Sequence, residues 1–519
     1  MIQLLSNIPS HILTLLSIWL LLLVVAIILY SKNSKYWKYS LFFAAFCIAS
    51  AFALFSPYLY MWDEQFHALV GKNCMTTPFH PKVLRNNPID FNSTEWLLTT
   101  TWLHKQPLFT WLMALSMKLF GVSTFAVRLP SVLFHAIMTL VVYRIGSIIF
   151  SKKAGFISAL LFMHSAYLLG LVSGRIGTDH NDYIFMSFIG LSFWAYFEWR
   201  ESSLKKWLIW IGIFVGCAVL TKWLVGFLVF FGWGMVFILE LIRFKDTSQF
   251  KPLLKSFFIS LLVFLPWQIY THLRFPEIAN QEMEYNSLHL WQSVEGHAGD
   301  WFYHFDLISD LYFYKADFLV VFLISMSLLF LRKVNWRKSL FLLSSCFVVY
   351  LFFSFAQTKM PSFTVPIYPI VLLIIGFGMV ELTGFIKQKT IQAVILSLST
   401  LILINMLLRP SLTLKKYGFE DGTDAKKAQN MMIKQVDFIR ENATNQINRV
   451  VFGCELRGAA FASWMFYTND IAYPFYPDEK TVNSLINKGY EIVLIDWNNS
   501  IPAHLKTDKR LKVLIYPDK

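Results

Sequence analysis

Charged residues are scarce in this chain. Asp, Glu, Lys and Arg make up 15% of its 519 residues, whereas an ordinary soluble domain carries about 25%. Hydrophobic residues supply 56% of the chain, and the mean hydropathy is +0.51. Apolar runs long enough to cross about 30 Å of hydrocarbon recur through most of the sequence. This composition excludes a soluble globular protein and predicts a polytopic helical membrane protein.

Cysteine is also infrequent. The five cysteines form neither a CxxC pair nor a spacing typical of metal ligands, and Cys47, Cys217 and Cys346 lie inside apolar runs, where they are expected to pack. A disulfide between Cys74 and Cys454 is the alternative if both lie in one oxidising compartment. The sequence shows no fixed-period repeat and no low-complexity segment, so a repeat architecture is not predicted.

Twelve apolar segments are predicted to be membrane helices. They lie near residues 11–30, 40–60, 126–150, 155–172, 183–198, 207–221, 223–241, 256–273, 317–331, 339–356, 362–384 and 390–409. Basic residues are concentrated in the loops of one face, which predicts that this face is cytoplasmic. The net charge of +14 is therefore interpreted as a topology signal, and nucleic-acid binding is not expected.

The opposite face receives the two long loops, 61–125 and 274–316, and also the N-terminus and the tail, 410–519. The tail combines an amphipathic helix pattern, DAKKAQNMMIKQVDFIREN, with two short strand patterns, RVVFG and YEIVLID. We therefore expect a small α/β domain outside the membrane.

Two adjacent acids, Asp63 and Glu64, directly follow the second predicted helix. Later in the same loop, residues 107–120 are apolar but too few to span, which predicts a helix lying in the membrane interface. A loop that returns to the membrane surface can enclose a partly dry cavity, where a carboxylate can act as a base or a metal ligand. The alternative interpretation is a solvated helix end.

Three further polar clusters are predicted on the same face. The turn SGRIGTDHND contains Asp179 and Asp182, the loop segment GHAGDWFYHF contains His297 and His304, and the segment KMPSFTVPIYP begins with Lys359. Each has an ordinary alternative, because short turns are usually polar, loop histidines are usually packed, and a lysine at a helix end usually extends to water.

These segments, together with HKQPLFTWLMALSMKLFGVSTFAVRLPSVL, resemble in order and spacing the GT-C glycosyltransferases. The resemblance is greatest to the lipid A aminoarabinose transferases and the protein O-mannosyltransferases, and it covers residues 40–409. It implies transfer of a sugar from a polyprenyl-phosphate donor to a lipid, glycan or protein acceptor, with inversion, on the periplasmic face of a bacterial inner membrane. Residues 1–39 then form an added N-terminal helix with its cytoplasmic linker.

The resemblance also implies roles for individual residues. Asp63 matches the catalytic acid of the first external loop, with Glu64 as its neighbour. Asp179 matches the acid of the second loop, with Asp182 as the alternative. Three basic residues match positions near the donor phosphate: Lys105, Arg128 and Lys359.

Two positions depart from the family pattern. His104 stands where the aminoarabinose transferases usually carry a glutamate that shares a metal site with a histidine matching His297. Histidine also binds zinc, so a divalent metal held by His104 and His297, either zinc or magnesium or manganese, is left open. Phe363 stands where a tyrosine hydroxyl near the donor phosphate is common.

The implied chemistry agrees with the residues. A sugar phosphate already has a good leaving group, so the enzyme needs cations for the departing phosphate and a base for the acceptor hydroxyl. A transporter or flippase of lipid-linked glycans is the alternative, but it should place ionisable residues or broken helices near the bilayer midplane. The acids here are predicted in external loops, which favours the enzyme. A noncatalytic assembly partner is a third interpretation, motivated by His104 and Phe363.

Overall fold

The computed structural model describes residues 7–89, 96–176, 179–444, 448–454, 459–497 and 499–517. The chain forms a helical membrane part followed by a small α/β domain. In chain order, the helices of the membrane part are α1 (Ser10–Ser31), α2 (Trp37–Leu54), α3 (Asp63–Cys74), α4 (Leu108–Phe120), α5 (Thr124–Ile149), α6 (Lys152–Met163), α7 (Ala166–Val172), α8 (Asp179–Ser202), α9 (Lys206–Lys222), α10 (Leu228–Phe244), α11 (Phe250–Arg274), α12 (Pro276–Trp291), α13 (Tyr303–Asp306), α14 (Ile308–Leu311), α15 (Lys315–Leu331), α16 (Trp336–Phe355), α17 (Tyr368–Gly384) and α18 (Lys389–Leu408).

Each of the twelve predicted membrane segments falls on a helix. In the described part of the chain, eight helical segments are long and apolar enough to cross a membrane, and α6 with α7, bent by 56°, makes a ninth. The segment Lys206–Phe244 crosses twice, because Lys222 pairs with Asp182 near one end of α8 while Glu240 pairs with Arg200 near the other. The reversal occurs in a 3₁₀ turn that starts at Trp223, whose φ is +70°.

Serine caps and small residues shape the centre of the bundle. Ser123 Oγ accepts a hydrogen bond from the Ala126 amide at the start of α5, and Ser151 does the same for Ala154 at the start of α6. A Cβ on Gly146 would lie 2.6 Å from the Gly155 Cα. The two helix backbones are therefore in contact, as is common where small residues meet in a membrane.

The first long loop has more structure than expected. The second predicted helix ends at Leu54 rather than at residue 60, and the acidic pair opens a separate helix, α3. The predicted interface helix is α4, which buries Phe109, Met113 and Met117 and exposes Leu119. The second long loop is largely helical and continues from α11 into α12. We call the end of the bundle that carries both loops the loop face.

The α/β domain follows α18. Its helices and strands are α19 (Pro410–Lys416), α20 (Asp424–Glu441), β1 (Arg449–Phe452), α21 (Ala460–Tyr467), β2 (Ile471–Ala472), α22 (Glu479–Asn487), β3 (Glu491–Asp496), α23 (Ala503–Lys506) and β4 (Lys512–Ile515). The described strands form one parallel sheet in the order β2-β1-β3-β4. Both predicted strands are present as β1 and β3, so the predicted helical membrane fold with a C-terminal α/β domain is confirmed.

The domain packs on the loop face. The rings of Phe66 in α3 and Phe461 in α21 meet edge to face at 5.7 Å. The Tyr467 hydroxyl accepts a hydrogen bond from the Leu59 amide at 3.1 Å. The C-terminal domain therefore covers the helix that begins at Asp63.

Candidate active site

Asp63 is the first residue of α3 and is partly exposed. A carboxylate at a helix N-terminus is favoured by the helix dipole and by the unpaired amides there. The preceding residue, Trp62, has φ +66° and ψ −105°, a conformation that a bulky residue rarely adopts. The Gln65 side chain accepts a hydrogen bond from the Trp62 amide at 3.0 Å, which is the return half of a capping box.

Glu64, next in sequence, points the other way and is 1% exposed. Its two oxygens accept from Arg128 Nε and Nη2 at 2.7 and 2.9 Å. Glu64 also contacts His180 Nε2 at 3.0 Å and accepts from the Tyr60 amide at 2.6 Å. Burial alone would raise the pKa of this carboxyl, but the charge and hydrogen bonds of Arg128, with those of His180, outweigh it and lower the pKa to about 2.

Arg128 uses all five of its N–H groups within the protein. Besides Glu64, it donates to the carbonyl oxygens of Ala53, Ser56 and Tyr58 at 2.6–2.8 Å, and its side chain is fully buried. This geometry does not support the prediction that Arg128 binds the donor phosphate, and it gives Glu64 no route to a substrate. The pair instead joins α3 to α5 and to the end of α2.

The charge of Asp63 acts on His104, one of the two residues predicted to hold a metal. His67, which lies one turn further along α3, also acts electrostatically on His104. Burial, followed by the charge of Lys105, lowers the pKa of His104 well below its ordinary value. His104 Nδ1 lies 3.3 Å from Glu282 Oε2, and burial raises the pKa of Glu282 to about 7.

Lys105 is the cation beside this group. Its side chain is partly exposed, and among the described residues its ammonium makes no hydrogen bond or ion pair. Its charge acts on His104, on Glu282 and on His289 of α12. The role of Lys105 at the donor phosphate stays a prediction.

Asp182 and Lys222 form a second charged pair on the loop face. Lys222 Nζ donates to Asp182 Oδ1, and Asp182 is 2% exposed. Asp182 Oδ2 is buried without a hydrogen bond in the described part of the chain. The Lys222 ammonium also lies 5.3 Å from the centre of the Phe363 ring. Asp179 begins α8, but its side chain lies outside the described residues, so the choice between the two acids stays a prediction.

The Lys359 ammonium is used within the protein rather than presented to a ligand. Its ammonium donates to the carbonyl oxygens of Phe353, Ser354 and Ala356 at 2.9, 2.7 and 2.6 Å. These bonds use its three N–H groups and cap the C-terminus of α16, where the helix dipole favours a cation. The geometry does not support the predicted phosphate contact. The Lys359 amide, however, donates to the His297 carbonyl at 2.9 Å, which joins the two predicted segments.

The described residues do not form a ready metal site. No group of three or more His, Cys, Asp or Glu side chains among them is arranged to hold an ion. His104 is turned toward Glu282, and the Tyr285 ring packs against both His104 and His289 at 5.7 Å. The metal predicted at His104 and His297 stays an untested prediction.

Sequence reasoning missed several members of the site. Glu282 and His289 belong to an unremarkable helix pattern, and only the folded chain brings them to Lys105. Lys222 carried a usable signal, because it is a basic residue between two predicted helices on the face where basic residues are otherwise rare.

Several known proteins have sequences similar to this chain. A family model described as dolichyl-phosphate-mannose-protein mannosyltransferase matches residues 104–270. An undecaprenyl phosphate-alpha-4-amino-4-deoxy-L-arabinose arabinosyl transferase of Pseudomonas savastanoi pv. phaseolicola is 26% identical over 371 residues, which cover 66% of this chain and 61% of that protein. The second such transferase of Pseudomonas fluorescens is 22% identical over 369 residues, which cover 67% of this chain and 60% of that protein. The chain thus spans about three fifths of these relatives.

Solved structures show the same fold. ArnT from Cupriavidus metallidurans, crystallised with undecaprenyl phosphate, matches with a TM-score of 0.60 at 14% identity over 88% of both chains. The Archaeoglobus fulgidus oligosaccharyltransferase, crystallised with a tethered acceptor peptide, matches with a TM-score of 0.52 at 13% identity over 88% of this chain and 68% of that one. The chain therefore has the fold of the GT-C glycosyltransferases, and its sequence resembles their aminoarabinose transferase and protein mannosyltransferase families.

Proposed function

We propose that this protein is a membrane glycosyltransferase that moves a sugar from a polyprenyl-phosphate donor to a hydroxyl or phosphate of an acceptor. The observation that carries the proposal is the partly exposed carboxylate of Asp63 at the start of α3, on the loop face of a helix bundle with the GT-C fold. The relatives named above are transferases of undecaprenyl-phosphate-linked or dolichyl-phosphate-linked sugars by name. The acceptor is a lipid such as lipid A, an envelope glycan or a protein.

Asp63 acts as the base in this proposal. It lies at the N-terminus of α3 and is partly exposed, so an acceptor can reach its carboxylate. It takes the proton of the acceptor hydroxyl while the hydroxyl oxygen attacks the anomeric carbon. The bond from that carbon to the phosphate oxygen breaks, and a single displacement of this kind inverts the anomeric centre.

Lys105 receives the negative charge that develops on the departing phosphate. Its ammonium is not committed to a described partner, unlike the side-chain N–H groups of Arg128 and Lys359. Stabilising charge where it develops is the largest contribution that such a site can make to the rate. Lys222 supplies further positive charge nearby while it holds Asp182 in place.

The proposed orientation puts the loop face on the periplasmic side of a bacterial inner membrane. Basic loops then lie in the cytoplasm, and the polyprenyl tail of the donor stays in the bilayer with its phosphate at the membrane surface. The acceptor arrives from the periplasm. Labelling of single cysteines introduced at exposed positions 115 and 204 by an impermeant thiol reagent, in a cysteine-free background, tests this orientation, because only position 115 should react in intact cells.

The test of function is sugar transfer by the purified full-length chain in nanodiscs. Polyprenyl-phosphate sugars and an outer-envelope extract are supplied, and release of polyprenyl phosphate is measured. Asp63→Asn should reduce transfer by about 100-fold or more, since general-base catalysis contributes about that factor. Asp424→Asn is the matched control, because Asp424 is also the first residue of a helix and is exposed.

Equal turnover by wild type and Asp63→Asn would remove Asp63 as the base. Translocation of the lipid without any transfer would establish the flippase interpretation instead. The proposed divalent metal is tested separately by chelation followed by readdition of zinc, magnesium or manganese. A metal held by His104 and His297 predicts loss and recovery of activity, and both effects should weaken in His297→Ala.

A further inference from the structure

The buried side chain of Gln65 connects the helix of the proposed base to the C-terminal domain. Gln65 is completely buried two residues after Asp63. Its Oε1 accepts from two backbone amides, that of Trp62 at 3.0 Å and that of Ala459, just before α21, at 2.8 Å. Its Nε2 donates to Ser463 Oγ at 2.8 Å. One carboxamide thus ties the first turn of α3 to the first turn of α21.

The backbone that Gln65 holds is strained. Trp62 has a positive φ although its side chain is bulky, and such a conformation costs about 1–3 kcal/mol unless the surroundings enforce it. Trp62 is 52% exposed, so its own side chain packing cannot supply much of that enforcement. The hydrogen bond from the Trp62 amide to Gln65 helps to hold this backbone conformation. The hydrogen bond from the Ala459 amide in turn holds the Gln65 side chain.

A second contact sets the direction of α3. Lys72, two turns further along, donates to the carbonyl oxygens of Met465 and Phe466 at 2.8 Å, and also to that of Thr468. Gln65 contacts the start of α21 and Lys72 contacts its end. The two helices therefore run side by side in the same direction, and the C-terminal domain fixes both the position and the axis of α3.

We infer that Gln65 is a positioning residue, through which the C-terminal domain sets the placement of Asp63 against the acceptor hydroxyl. This inference rests on the proposed function, because it takes Asp63 to be the base. Catalysis by a base depends on a correctly aligned proton transfer, and a displacement of about 1 Å can cost about 100-fold in rate. Gln65 touches no substrate in this scheme and acts only through the start of α3.

The experiment compares Gln65→Met with the wild type in nanodiscs. Methionine keeps the length and volume of glutamine but removes all three hydrogen bonds. Two products are measured from the donor, sugar transferred to the acceptor and free sugar released by water. We expect kcat for transfer to fall about 10-fold to 100-fold with an unchanged KM for the donor. Hydrolysis should fall less, because a water molecule can reorient toward a displaced carboxylate. A partly unfolded preparation would lower both products in proportion.

Gln429→Met is the matched control. Gln429 also connects the C-terminal domain to the membrane part, through its Nε2 and the Phe55 carbonyl at 3.4 Å, but it does not touch α3. It should leave the ratio of transfer to hydrolysis unchanged. If Gln65→Met does not fold, Ser463→Ala replaces it, since it removes one of the three bonds, and transfer relative to hydrolysis should still fall, by about 3-fold.

The outcomes distinguish a failure of the proposed function from a failure of the positioning role of Gln65. A wild type that neither transfers nor hydrolyses the donor overturns the proposed function. An active wild type whose Gln65→Met variant keeps its kcat, or loses transfer and hydrolysis in equal proportion, overturns the positioning role of Gln65. A selective loss of transfer, absent from Gln429→Met, supports it.

Discussion

Glu64 and Arg128 form a bidentate ion pair in which both side chains are fully buried, at 2.7 and 2.9 Å. Removing one partner of such a pair leaves an uncompensated charge. We expect Arg128→Met to destabilise the fold by about 3–5 kcal/mol, seen as a lower unfolding temperature and a lower folded yield in detergent. The double variant Glu64→Gln/Arg128→Met should recover part of this loss. Arg144→Met, which breaks a pair with Glu198 whose arginine is 46% exposed, is the control and should cost about 1 kcal/mol or less.

The same pair predicts the response to acid. The pKa of Glu64 is about 2 in the folded chain, below its ordinary value of 4.5. Its contribution to stability is therefore fully present above about pH 4.5 and is lost as the pH falls from there toward 2. The unfolding temperatures of wild type and of Glu64→Gln/Arg128→Met should converge over this range. A constant difference from pH 6 to pH 3 would contradict the assigned direction.

Lys105 should contribute to donor binding. Lys105→Gln removes a charge-assisted hydrogen bond to phosphate, and such bonds are worth about 1.5–3 kcal/mol, so the donor KM should rise or kcat/KM should fall by about 10-fold to 100-fold. Lys118→Gln is the control, because Lys118 is an exposed lysine in the last turn of α4. An unchanged kcat/KM in Lys105→Gln would move the phosphate site elsewhere, with Lys222 as the next residue to test.

Asp182 and Lys222 should be energetically coupled. Lys222→Met leaves the buried Asp182 carboxylate without its cation, so the single variant should be destabilised. Adding Asp182→Asn should restore much of the stability. Unfolding temperatures of the wild type, the two single variants and the double variant give the coupling, expected at about 1–3 kcal/mol. Additive effects would show that the contact carries no net energy.

Lys72 should hold the C-terminal domain in place. Lys72→Met removes the donor to three carbonyl oxygens at the end of α21. The expected cost is about 1–3 kcal/mol, and limited proteolysis should cleave after residue 409 earlier than in wild type. Lys426→Met, which breaks an exposed pair with Asp421 in the same domain, serves as control. Equal digestion of Lys72→Met and wild type would contradict the role.

Most of the fold could be predicted from local patterns in the sequence. Hydropathy located a helix at each of the twelve predicted segments, because these stretches are long and mostly apolar. Short apolar runs located β1 and β3, whose residues are buried on both faces of the sheet. The end of α2 was placed too late because residues 55–60 are apolar, although their backbone carbonyls instead receive Arg128.

The sequence predicted the candidate site less completely than the fold. The family pattern named Asp63 and Lys105, whose charges both act on His104, and their roles stay predictions. The pattern could not show that Arg128 and Lys359 would be buried and would donate their side-chain N–H groups to backbone carbonyl oxygens of the protein. Lys105, by contrast, is partly exposed.

The contact between α3 and α21 has a consequence for biosynthesis. Residues 62–72 leave the ribosome early, but their partners at 459–468 are made only after nearly all membrane helices have been inserted. Contacts between such distant segments close late and slowly. The first loop therefore stays incompletely assembled until the last fifth of the chain has been translated. A chain truncated after α18 would contain every membrane helix and both long loops, yet it would lack the partner on which the start of α3 closes.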